Sequence, residues 1–75
     1  MRHSTQPSSS DLVLLGEVIR GVIRRGRLSP ADAEDFSQSV QLKLLETGYE
    51  AFARFDERSS LRTYLTTMVW QLLLD

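Results

Sequence analysis

The sequence predicts an all-α domain, compact, with three principal helices and a short fourth near residues 49–54. Three observations predict it. Apolar residues recur at i, i+3, i+4 and i+7 in three separate stretches, the helical period and not the strand period of two. Ser or Asp stands before each stretch, where a side-chain oxygen can accept from the free amides of a first turn. Gly26 and Gly48 stand where the first two stretches end.

Length and composition narrow the classes. A chain of 75 residues allows one small domain. It has no cysteine, so neither a disulfide framework nor a thiolate metal site is expected. The single histidine, His3, supplies at most one metal ligand, and no cofactor is expected. No apolar run approaches the roughly 20 residues of a membrane span. Residues 1–10 lack the apolar centre of a signal peptide, and the expectation is a cytoplasmic protein with no membrane partner. A net charge of −1 argues against a chain held on nucleic acid by bulk electrostatics, but leaves room for a local basic patch.

Residues 1–10 are rich in Ser, Thr and Gln, contain Pro7 and show no apolar period. Such a segment buries too little to offset its ordering entropy, so a disordered leader is expected, with the domain over 11–75. The first helix is expected over 11–25, capped by Ser10 or Asp11. Leu12, Leu15, Val18, Ile19, Val22 and Ile23 form its stripe, with Glu17, Arg20 and Arg24 opposite. Arg24, Arg25 and Arg27 complement the negative end of the helix dipole; phosphate contact is the sharper alternative. Gly26 is expected to end the helix in a left-handed conformation. Gly16 and Gly21, each costing about 1 kcal/mol relative to Ala, are candidates for close helix contacts.

The second helix has the clearest start signal. Ser29 caps, Pro30 suits the first helical position, and Asp32, Glu34 and Asp35 place negative charge in the first turns. It should run to Glu46 or Thr47, with Gly48 as its stop. Ala33, Phe36, Val40 and Leu44 point inward, whereas Leu42 and Leu45 fall on another side, near Asp35, Gln38 and Gln41. Two readings stay open for these leucines: a broad buried arc meeting another helix, or a partner surface of ordinary interface composition.

Residues 49–60 begin as a short helical turn and lose the stripe through Asp56, Glu57 and Arg58. Phe52 and Phe55 are expected to anchor this loop to the core. The interleaved Arg54, Arg58 and Arg62 also suit single-stranded nucleic acid, where bases stack on rings and guanidinium groups track phosphate. The last helix is expected over 61–74, after Ser59 and Ser60 as caps. Its stripe is Leu61, Tyr64, Leu65, Met68, Val69, Leu72 and Leu73. Trp70 falls nearly opposite that stripe, among Thr63, Thr66 and Thr67, and suggests a second face that touches something. Catalysis has little support. There is no Cys, no His outside the leader, and neither a glycine-rich phosphate loop nor a nucleophile elbow.

The order of features carries a resemblance. Asp32-Ala33-Glu34-Asp35-Phe36-Ser37-Gln38-Ser39-Val40, then Phe55-Asp56, then Ser59-Ser60-Leu61-Arg62-Thr63-Tyr64-Leu65 resembles region 2 of bacterial sigma-70 family RNA polymerase sigma factors, most of all the extracytoplasmic-function (ECF) group. The resemblance spans residues 12–75. It implies a non-enzymatic role in transcription initiation. It also implies docking of the acidic-start helix on the clamp coiled coil of the polymerase β′ subunit through Asp35, Gln38, Leu42 and Leu45. It further implies opening of the promoter −10 element and capture of a flipped non-template base. The matching positions are Phe55, Asp56, Arg58, Ser59 and Ser60 in the loop, with Arg62, Thr63, Tyr64, Thr67, Trp70 and Gln71 on the helix.

Two departures shape what is expected. The family usually carries a basic or small polar residue near the position of Trp70, and continues into an arginine-rich stretch and a second domain that reads the −35 element. The expectation is therefore a fragment or excised domain with weak DNA affinity of its own. Trp70 stays open between DNA contact, an anti-sigma factor or intramolecular contact, and a surface covered by further chain. The rival class is a small helical protein-interaction module that never meets DNA.

Overall fold

The computed structural model describes residues 7–47, 49–55 and 57–75, with Arg58 described by its backbone alone. It contains four helices: α1 (Ser9–Gly26), α2 (Pro30–Glu46), α3 (Glu50–Arg54) and α4 (Arg58–Leu74). The expected all-α architecture is what the chain adopts. The leader expected over 1–10 falls largely outside the described residues, as do His3, the Gly48 stop and Asp56.

α1 starts two residues earlier than expected. Ser8, not Ser10 or Asp11, is its N-cap: the Ser8 hydroxyl accepts from the Asp11 amide, and the Ser8 amide donates to the Asp11 carboxylate, both at 3.1 Å. This reciprocal capping box makes Asp11 a member of the first turn. At the other end it is Arg27, not Gly26, that turns left-handed, with φ 57°. The Leu28 amide reaches the Ile23 carbonyl and the Arg27 amide reaches that of Arg24, a Schellman pairing that satisfies two terminal carbonyls. Gly26 serves instead as a close approach. A Cβ there would lie 2.9 Å from Leu73 Cδ2, whereas one on Gly21 meets nothing within 4 Å and one on Gly16 meets only Arg20 of its own helix.

α2 begins as its local chemistry dictates, with the Ser29 hydroxyl accepting from the Asp32 amide at 3.2 Å and Pro30 in the first turn. The α4 start is a correction. The helix begins at Arg58 after Glu57, which makes no side-chain cap, so Ser59 and Ser60 lie inside the first turn. The Thr63 hydroxyl donates back to the Ser59 carbonyl. α3 follows Tyr49, a non-glycine residue at φ 59° whose amide reaches the Leu44 carbonyl.

α1 and α4 form the main helix pair and run in the same direction. Glu17, midway along α1, faces Arg62 in the second turn of α4, and Gly26 meets Leu73 near their ends. The core between them and α2 is wholly apolar among the described residues: Leu14, Leu15, Val18, Ile19, Val22, Val40, Leu44, Ala51, Leu61, Leu65 and Val69. Two stripe expectations change. Leu14 is completely buried while Leu12 is 53 % exposed, because α4 covers the Leu14–Val18–Val22 side of α1. Tyr64 sits at the edge of the α4 stripe, and its ring stacks on Phe55 instead of entering the core.

Candidate functional site

The two leucines left open by periodicity now have a place. Leu42 and Leu45 are 57 % and 56 % exposed, so the broad buried arc does not form. At 100° per residue they share one side of α2 with Asp35 and Gln38, both exposed, roughly opposite Val40 and Leu44 in the core. Leu42 and Leu45 are thus an exposed apolar pair flanked by an amide and a carboxylate.

A second surface lies at the corner where α3 gives way to α4. Phe52 and Phe55 are half-buried and pack against the core, as expected of anchors for the loop. Phe55 stacks on Tyr64 with ring centroids 5.1 Å apart and planes inclined by 28°. Together with Ser59, Ser60 and Thr63 they line an open cleft of about 400 Å³. Two aromatic rings fix one wall, and three hydroxyl-bearing residues in the first turns of a rigid helix supply polar groups around it. Such a cleft suits a flat aromatic group with polar edges. On α3, Arg54 and Glu50 form an exposed ion pair at 3.3 Å.

The other candidates on α4 divide. Thr67 and Gln71 are exposed; Gln71 and Tyr64 also border the recess toward Lys43, Thr47 and Arg54. Arg62 and Trp70 lie on the α1 side. Trp70 does not stand out into solvent as its helical angle implied: it is half-buried, packs against the core and lines a narrow cleft with Glu17, Gly21, Arg25, Arg62 and Thr66. Gly21 borders the same cleft without touching the indole closely, since a Cβ there would meet nothing within 4 Å. The Arg62 guanidinium donates to the Glu17 carboxylate at 2.7 Å, a partner 45 residues away that no local pattern pointed to. The Arg58 side chain and Asp56 lie outside the described residues.

One comparison with known proteins decides the family: Sigma-70 region 2 matches residues 14–75, most of the chain. The chain belongs to the Sigma-70 region 2 family. No curated protein and no solved structure matches it. Region 2 is a non-enzymatic transcription-factor domain, and membership implies a role in transcription initiation with core RNA polymerase and promoter DNA as partners. Among the described residues of this region 2 domain, no helix is long and apolar enough to cross a membrane.

Proposed function

We propose that this region 2 domain, of the ECF type and working in the cytoplasm, docks on the β′ clamp coiled coil through the exposed side of α2 and opens the promoter −10 element through the α3–α4 corner. The observation that carries the reading is the corner cleft itself. Phe55, Ser59, Ser60, Thr63 and Tyr64 line one open cavity, and all five match positions of the family's promoter-binding set. Stacking plus hydrogen bonds to an exposed edge is how an extruded base is held, and this wall-and-hydroxyl arrangement supports that chemistry. Arg58 and Arg62 attract phosphate, which positions a strand without choosing its sequence. Thr67, Trp70 and Gln71 extend the candidate strand path along α4, and Asp56 contributes from the loop. Asp35, Gln38, Leu42 and Leu45 supply the polymerase side, on a different helix from the strand. An anti-sigma factor is a further candidate partner for either exposed surface.

The test separates the two surfaces. Asp35→Arg combined with Leu42→Arg should abolish capture by core polymerase while helical content is kept, since both side chains are exposed. On the polymerase-bound domain, Arg62→Ala should weaken all single-stranded −10 probes by a similar factor and flatten the salt dependence. Exchange of residues 56–59 should instead alter which base is preferred. Unchanged polymerase capture removes the α2 assignment; an unchanged base ranking moves specificity from the loop to α4. No probe binding at all, with polymerase bound, leaves a protein-interaction module.

A further inference from the structure

We infer that Glu17 is a built-in competitor for the promoter strand: its carboxylate occupies the Arg62 guanidinium where a DNA phosphate would bind, and strand engagement exchanges one anion for the other. The inference rests on the promoter-binding reading above. The Glu17–Arg62 contact is 2.7 Å, at the short end of charge-assisted hydrogen bonds, and it bridges α1 to the second turn of α4. Both side chains are about half exposed, 52 % for Arg62 and 43 % for Glu17, so an incoming polyanion can reach the pair. Carboxylate and phosphate oxygens match the same planar fork of guanidinium donors, which makes them direct rivals for Arg62. Exposed ion pairs are weak enough to be displaced.

The surroundings fit a competitor and not a structural tie. The cleft beneath the pair, about 150 Å³, is lined by Arg25, Arg62, Thr66 and Trp70, and Glu17 is the acidic residue among those lining it. Without the Glu17 charge, the charged residues lining this cleft are Arg25 and Arg62, beside Trp70. Ser59, which lines the corner cleft, stands three residues before Arg62, and residues at that spacing are neighbours on a helix surface, so a strand seated in the corner cleft runs beside the Arg62 turn. Glu17 therefore sets how strongly the domain holds the strand backbone, and does so from a helix that is not among the described lining of the corner cleft.

The experiment is a two-by-two comparison on the polymerase-bound domain: unchanged, Glu17→Gln, Arg62→Ala, and both together. Affinity for a fluorescent single-stranded −10 probe is read by anisotropy, and polymerase capture is measured separately. Glu17→Gln should tighten probe binding about two- to five-fold, the range an exposed pair commands. That gain should vanish in the Arg62→Ala background. An equal gain in both backgrounds makes Glu17 a general repulsive charge and overturns the exchange. Weaker binding by Glu17→Gln overturns it too, since Glu17 would then be orienting Arg62 for phosphate. If the unchanged domain captures polymerase but binds no probe, the promoter reading fails and the competition with it. If the probe binds and only the Glu17 effect is missing, the competition alone fails. Circular dichroism of each variant confirms that the helices persist.

Discussion

Leu44 and Leu45 are neighbours in sequence, 1 % and 56 % exposed, and their truncation should separate folding from binding. One residue of helix is a 100° rotation, which carries Leu44 into the core beside Val40 and Leu45 onto the side shared with Leu42. Leu44→Ala removes buried carbons and leaves a cavity, at a cost of about 2–5 kcal/mol. Domains of this length are stable by roughly 4–11 kcal/mol, taking about 0.05–0.15 kcal/mol per residue. The substitution should therefore remove a large part of the total, and lower the thermal midpoint by at least about 8 °C at about 4 °C or more per kcal/mol. Leu45→Ala deletes carbons already in contact with water and should change stability by less than about 0.5 kcal/mol. If α2 meets the polymerase as proposed, it should nevertheless weaken that binding by about 1 kcal/mol or more, roughly five-fold. Thermal unfolding followed by circular dichroism gives the first quantity, and titration of labelled domain with core polymerase gives the second. Equal midpoints for the two variants would refute the assignment of the α2 faces. Unaltered polymerase affinity for Leu45→Ala, with the midpoint intact, would refute the docking role alone.

Other outcomes follow from the same packing. Leu65→Ala should cost about 2–5 kcal/mol, since Leu65 is fully buried, while Leu74→Ala on the same helix, 78 % exposed, should leave the urea midpoint unchanged. Gly21→Ala should stabilise the domain by about 0.5–1 kcal/mol in urea titration, because a Cβ there meets nothing within 4 Å and the helix gains a better former. Ser29→Ala should cost about 1 kcal/mol by the same titration, through loss of the bond from the Asp32 amide; an unchanged midpoint would mean that water replaces it fully.

Local chemistry was enough for the all-α class, for the order of the helices and for the start of α2. Ser29, Pro30 and Asp32 act within one turn of each other, and nothing distant has to be known. The inward set Val40, Leu44, Leu61, Leu65 and Val69 was legible for the same reason, as the helical period sorts residues around a single axis. The period does not say which neighbour covers which side. That is why Leu12 and Leu14 exchanged roles once α4 lay along α1, and why the two readings of Leu42 and Leu45 could not be separated until the side of α2 away from the core was seen uncovered. Cap signals misled where several compete. Ser8, Ser9 and Ser10 all offer a hydroxyl, and the reciprocal bond with Asp11 selects the first. At α4 the helix extends back through Ser59 and Ser60, so both residues line the corner cleft instead of capping the helix. Trp70 and Arg62 depended most on tertiary structure. The side to which a long side chain leans, and the charge it finds there, are set by the helix alongside: α1 supplies the other wall of the cleft that Trp70 lines, and Glu17 supplies a carboxylate from a turn far away in the chain.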